Sequence, residues 1–553
     1  IYSIFIEGNM KKNIYEDFLV NKDEANIDEI QQMLEFSSHL GKQTFFQVEK
    51  FYKKGDETRL KEDYNLQNSG ISYFLDPCRK EKLSNLKHLI SNVKDLRNIF
   101  QHASYTLTET DIFDIKQYLI ILLKIIDDFP LKKIPVFEEK DINFIADLLK
   151  LIDPDYPFFP TFAIYKNSST KMKELIEQLE SLETNKSVLE EDIIKSLKNA
   201  GLKTSFSHPS IYLKDENEPD KFSNDRIIVV EETSKYFKVQ PKPTKELIEI
   251  YDKINLIQNE IVSEKLKICE DLTKKIFLFK QKIVRSFEIV GIIDSYLAKI
   301  TFAININGIV PEITEDELQL VDARNLSLEK ILHSQNLTYS PLNFKMNQGV
   351  AILTGSNMGG KTCSLKTIAQ ISYLVHSGLL VPAKKVSTPL FNGIYISKSA
   401  TSFINEGLSS FGYELMSLKP YFDNRDNHYL FLLDEPASGT NPAEGKAIVR
   451  ALALQLSNSR SHAVLSTHFD GISEGIECKK YCIKGFTEEN IKKMSEYLDE
   501  SEEISIQQIH RFIDHNLIEI TTENQVPKNA ITLLHLFKFS KSFIDLCESF
   551  SKE

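Results

Sequence analysis

Apolar residues recur three or four apart over Ile27–Leu40 and Leu83–Phe100, and Asp111–Ile126 joins an acidic start to a long apolar face, so the spacing predicts helices there. Pro130, Pro135, Pro154, Pro157 and Pro160 break the pattern, and Asp127–Phe162 reads as a connector with a short helix near Asp141–Leu151. Thr170–Asn199 and Thr244–Ser286 are charged, rich in Leu and free of Gly and Pro. As helices they would run roughly 45 and 60 Å, too long for one compact globule, and they read as two arms of a lever. Between them the runs Ser210–Leu213, Ile227–Val230 and Tyr236–Val239, separated by turn formers, predict a small β tip on a helical stalk. A coiled-coil hairpin with a structureless tip is the other arrangement this spacing allows.

An apolar helix over Phe287–Gly308 leads into the second half of the chain, where the period changes to short buried strands. Val350–Leu353 precedes Gly355–Thr362, which fits G-x-x-x-x-G-K-[ST] between a strand and a helix, the pattern of a phosphate-binding loop. Gly355, Gly359 and Gly360 would let backbone N–H groups point at phosphate oxygens, aided by the following helix N-terminus. Lys361 would reach the β and γ phosphates of ATP, and Thr362 would ligate Mg2+. A second apolar strand, Tyr429–Leu433, ends in Asp434-Glu435, an Asp placed to hold Mg2+ and a Glu placed to polarise the attacking water. The third, Ala463–Ser466, ends at Thr467-His468, and His468 is expected to sense the γ phosphate or position water; a histidine met alone there would more often be structural.

Composition narrows the class further. At 553 residues the chain can form about three or four domains, and its formal charge of −12 means that any nucleic-acid contact needs a local basic surface. The six cysteines are scattered without a C-x-x-C pair, as expected of reduced thiols in a cytoplasmic protein, and neither a signal peptide nor an unbroken apolar run of spanning length implies a membrane. After Asp470, Glu488–Tyr497 and Ser505–His515 read as helices, Leu517–Thr521 as a strand, and Pro527 onward as a final helix.

Five segments together resemble the MutS-family ATPases: T-G-S-N-M-G-G-K-T at 354–362, V-P-A at 381–383, G-L-S-S-F-G-Y-E at 407–414, L-L-D-E-P-A-S-G-T-N-P-A-E-G at 432–445 and S-T-H-F at 466–469. The match runs over about Val321–Asp470, and the stretch after Asp434 is nearer to the second MutS subfamily than to the mismatch sensors. The resemblance implies an α/β P-loop NTPase of the ABC type at 306–485. It would be preceded by a helical core at 1–165 and lever helices at 166–305 with a clamp-like tip at 201–243, and followed by a dimerising segment at 486–553. It adds Asn357 to the nucleotide loop and implies a homodimer through the ATPase domains, in which Ser409 and Ser410 of one chain meet the nucleotide held by the other. The family's adenine-stacking aromatic falls on Leu337, with Tyr339 two residues on.

Other features depart from the mismatch sensors. Phe5-Ile6-Glu7 resembles their Phe-x-Glu wedge but precedes a helical region, no connector domain is evident, and no H-G-x-G nuclease loop follows Asp470. Residues 208–241 carry five basic against seven acidic side chains, a net of −2. Two functions remain open on this reading: an ATPase acting on branched or damaged DNA in repair or recombination, or one that remodels a protein client such as a B12-dependent aminomutase.

Overall fold

The computed structural model describes residues 18–550 apart from 49–50, 102–104, 131–136, 165–167, 215–224, 356–359, 398–409, 487–488, 495–512, 521–533 and 535–538. Phe5-Ile6-Glu7 lies outside them. The chain forms two compact units, one of Ile1–Ser91, Ile126–Phe137 and Glu288–Glu553, the other of Asn92–Ile125 and Glu138–Phe287. These limits differ from divisions at 165, 305 and 485, because segments distant in sequence share a core.

The first unit is built on a seven-stranded sheet of β1 (Leu19–Val20), β2 (Gly349–Thr354), β3 (Gly393–Ile396), β4 (Tyr429–Asp434), β5 (His462–Ser466), β6 (Cys478–Gly485) and β7 (Asp514–Glu519). Their order is β1-β3-β4-β5-β2-β6-β7. Every neighbouring pair is parallel except β6 and β7. Strands buried on both faces need continuous apolar runs, and these provide them. Ala351, Leu353, Leu430, Leu432 and Val464 pack on one face with Ile368 and Ile371 of the helix Lys361–His376. Val350, Ile352, Phe431, Leu433 and Leu465 pack on the other with Val449 and Ala453 of the helix Pro442–Ser457. That helix starts where pattern demands, with Pro442 in its first turn and the Asn441 side chain accepting from the Ala443 N–H.

A four-stranded sheet, in the order Glu312–Ile313, Lys385–Thr388, Leu318–Ala323 and Leu342–Met346, shares the first core with residues from Phe18 to Tyr64. The helix Lys280–Ile306 is long and apolar enough to cross a membrane by length and composition, yet most of its apolar stretch is buried within the protein. Its two interior charges are satisfied there: Lys299 pairs with buried Asp63, and Asp294 accepts from the Ser37 and Ser38 N–H groups and the Ser38 hydroxyl. A Cβ on Gly41 would lie 2.2 Å from the Asp294 carboxylate, so that approach requires glycine.

The second unit contains the long helices Thr170–Asn199 and Lys245–Phe277, each opened by a side-chain cap, Ser169 and Thr244 respectively. The expected 244–286 helix stops early: the Phe279 N–H donates to Ile276 O in a tight turn before Lys280 starts the next helix, and no Gly or Pro signals the break. The tip is an antiparallel three-stranded sheet, Ser210–Leu213, Tyr236–Pro241 and Ile227–Glu232 in spatial order, closed over Leu197, Leu202, Ile227 and Val239. The proline-bearing connector is held by Lys116, fully buried, whose ammonium donates to Asp153 Oδ2 at 2.7 Å and to the carbonyls of Tyr156 and Thr161.

Candidate functional site

Parallel register brings three strand ends level: Leu353 pairs with Ser466, and Ser466 with Asp434. Side chains just beyond these positions converge at the carboxyl edge of the sheet, where ligands bind in open α/β folds. The Thr362 hydroxyl donates to Asp434 Oδ2 at 2.6 Å, and the Ser466 hydroxyl donates to Asp434 Oδ1. The Asp434 N–H donates to Ser397 Oγ at 2.7 Å. Lys361, 4% exposed, donates to Gly355 O at 2.8 Å and pairs with Glu435 Oε1 at 3.1 Å. His468, half exposed, has Nδ1 4.0 Å from Glu435 Oε2.

The backbone at this edge is strained. Glu435 has φ +46° and Ala437 φ +60°, a left-handed conformation that costs an L-residue about 1–2 kcal/mol. Hydrogen bonds hold it: the Glu435 N–H meets Ser466 Oγ at 2.9 Å, and the Ala437 N–H donates to Glu414 Oε2 at 3.3 Å. Burial pushes the Glu414 carboxyl up to about 7, against the opposing pull of that N–H. Gly355 and Gly360 adopt φ +128° and +107°, which suit glycine alone, on either side of residues 356–359.

Beside Lys361 and Thr362 lies a cavity of about 360 Å³, walled by Leu332, Leu337, Tyr339, Ile513 and His515 among others. The Tyr339 hydroxyl accepts from the Asn325 N–H at 2.8 Å, and burial raises its pKa.

Of the residues singled out in the sequence, Gly355, Gly360, Lys361, Thr362, Asp434, Glu435 and His468 come together here. Asn357, Gly359 and Ser409 lie outside the described residues, and Ser410 begins the helix Ser410–Phe422, with its side chain outside the description. Leu337 and Tyr339 both face the cavity. Sequence reasoning missed Ser397 and Ser466 as partners of Asp434, although Ser466 sits at a strand end next to it. It also missed Ile513 and His515, because 505–515 reads as a helix. Residues 514 and 515 instead open β7, three residues ahead of the expected strand, since pairing with β6 overrides the local period.

Residues 351–511 match MutS domain V. The chain is 32% identical to an endonuclease MutS2 of Carboxydothermus hydrogenoformans over 39% of its own length and 27% of the relative's. It is 30% identical to one of Maridesulfovibrio salexigens over 41% and 29%, and 23% identical to one of Staphylococcus aureus over 61% and 47%. The matched part thus spans less than half of each of these relatives. The domain match covers the strands and loops that build the cluster: this part of the chain is similar to MutS domain V and to the matching part of MutS2 proteins.

Proposed function

We propose that the cluster is the ATP-hydrolysing site of a P-loop NTPase. The observation that carries it is a hydroxyl, a carboxylate and a buried lysine meeting at adjoining parallel strand ends: Thr362 Oγ1 2.6 Å from Asp434, and Lys361 3.1 Å from Glu435. The donor set fits Mg2+, a hard cation that takes oxygen ligands, and Thr362 and Asp434 would hold it. With ATP, bound Mg2+ supplies charge neutralisation at the phosphates. Lys361 presents its ammonium to the phosphate oxygens, while Gly355 O keeps the side chain in place. Glu435 takes the proton of the attacking water, and His468 orients that water. Ser466 and Thr362 donate to Asp434 and so fix the orientation of its carboxylate. Leu337, Tyr339, Ile513 and His515 enclose the base.

In this reading a second copy contributes Ser409 and Ser410, making closure of a cytoplasmic homodimer depend on ATP, and the helices of the second unit act as levers. The MutS2 relatives are named endonucleases, and we take this chain to be an ATPase acting on branched or damaged DNA. One observation favours a protein client instead. At the tip Lys214 pairs with Glu232, Lys238 with Glu231 and Lys242 with Asp225, so these cations are already neutralised where a DNA backbone would need them.

The deciding measurement is ATP turnover titrated with duplex, branched and single-stranded DNA at low and moderate salt. Salt-sensitive stimulation by DNA is expected. Turnover indifferent to every DNA at low salt moves the substrate to a protein, and absence of turnover overturns the ATPase reading.

A further inference from the structure

Glu414 is expensive where it stands. It is half-buried on the helix Ser410–Phe422, and the upward shift of its carboxyl arises from burial, with only the Ala437 N–H opposing it. An apolar side chain of similar volume would cost less there. A feature that breaks local economy beside a candidate site asks for a functional explanation.

The contact Glu414 makes is specific. Its Oε2 accepts the N–H of Ala437, 23 residues away, at 3.3 Å. Ala437 is the second left-handed residue of the turn that begins at Glu435. On its other side the turn is boxed by Gly445, where a Cβ would lie 2.9 Å from Ala437 O. The helix is itself anchored to β3. The Ser417 hydroxyl donates to Glu414 O at 3.0 Å, which leaves Tyr395 as the donor in the 2.8 Å contact between its hydroxyl and Ser417 Oγ. The Glu435 turn is therefore clamped between two helices, and Glu414 supplies the side-chain hydrogen bond from one of them.

We propose that Glu414 is a positioning residue: by holding the Ala437 N–H it fixes the strained Glu435–Ala437 turn and so the aim of the Glu435 carboxylate. The proposal rests on the ATP-hydrolysing reading of this site. It makes a displacement of the helix that starts at Ser410 felt at Glu435 of the same chain through one hydrogen bond.

The test uses the full chain and compares Glu414→Leu and Glu414→Gln in equilibrium ATP binding, single-turnover hydrolysis and thermal melting. Glu414→Leu keeps volume and removes the acceptor. It should bind ATP within about twofold of the parent and melt no lower, yet hydrolyse at least about tenfold more slowly, since a misaimed group costs rate rather than affinity. Glu414→Gln retains an acceptor oxygen and should recover most of the rate. Hydrolysis by Glu414→Leu at the parental rate overturns the proposal, as does an equal loss in both variants or a loss that tracks melting temperature. A parent that binds ATP without hydrolysing it would instead overturn the reading of the site.

Discussion

The two ends of the seven-stranded sheet use the same residue types to opposite purposes. At the carboxyl edge, charges are partnered to one another, the backbone is left-handed at Glu435 and Ala437, and His468 is half exposed. At the amino edge, His376, His428 and His462 gather around Phe391, with ring centroids 5.3–5.8 Å from it. Each ring donates to a backbone carbonyl, His376 to Tyr52 O at 2.6 Å, His428 to Arg460 O and His462 to Asp316 O, and His376 Nε2 also accepts the Phe391 N–H at 3.3 Å. Burial pushes His376 and His462 down to about 4, and lowers His428 as well, so all three stay neutral near pH 7. Position along the strand, rather than residue identity, separates a histidine that can meet a ligand from one that fills a core.

Changes at the two ends should therefore separate activity from stability. The largest effect is expected from Lys361→Ala. Removing the loop's buried cation should lower ATP turnover by about a hundredfold or more, with the melting temperature unchanged or raised, as steady-state kinetics and calorimetry would show. Unaltered turnover would break the comparison at its functional end.

Acid should act on the amino edge. A histidine lowered from 6.5 to about 4 stays neutral in the fold while the unfolded chain takes up its proton. The stability it lends is full above pH 6.5 and is lost as pH falls toward 4, by up to roughly 3 kcal/mol for each fully buried ring. Glu414 works in the other direction, since a carboxyl raised to about 7 stabilises the fold as pH drops from 7 toward 4.5. Denaturant midpoints measured from pH 7.5 to 4.5 should fall in the parent. In a His376→Phe, His462→Phe double variant they should fall less steeply, and an identical slope would remove these rings from the account.

The smallest expected change in stability is the sharpest test. Glu435→Gly relieves a left-handed non-glycine residue and should raise stability by about 1 kcal/mol, while hydrolysis falls by at least about a hundredfold and ATP stays bound. A Glu435→Gly protein no more stable than Glu435→Ala, which loses the same pair to Lys361 but keeps a Cβ, would mean that the Glu435 turn is not strained.

Much of this site was legible where local signals and tertiary demands agree. The apolar runs before Gly355 and Asp434 could only be buried strands, and helix Thr170–Asn199 and the three tip strands fall where capping and turn residues put them. What was illegible depends on distant partners. A two-residue strand such as Leu19–Val20 carries no period of its own and exists through pairing with Ile394 and Tyr395. Gly41 reads as an ordinary glycine until Asp294 arrives from more than 250 residues away. His428 and His462 looked unremarkable because each is an isolated polar residue beside an apolar run, and only the sheet register sets them together.

The sheet's two edge strands come from opposite reaches of the chain, β1 at Leu19–Val20 and β7 at Asp514–Glu519, and this imposes an order of events on a newly made molecule. At 5–20 residues per second, roughly half a minute to a minute and a half separates the emergence of one edge from that of the other. Until β6 emerges β2 has no neighbour on that side, and until the start of β7 emerges the cavity lacks the wall that Ile513 and His515 provide. On the proposed reading, a nascent chain carries every residue of the hydroxyl, carboxylate and lysine cluster before it can enclose a base, and tight nucleotide retention would mark chains extended past His515.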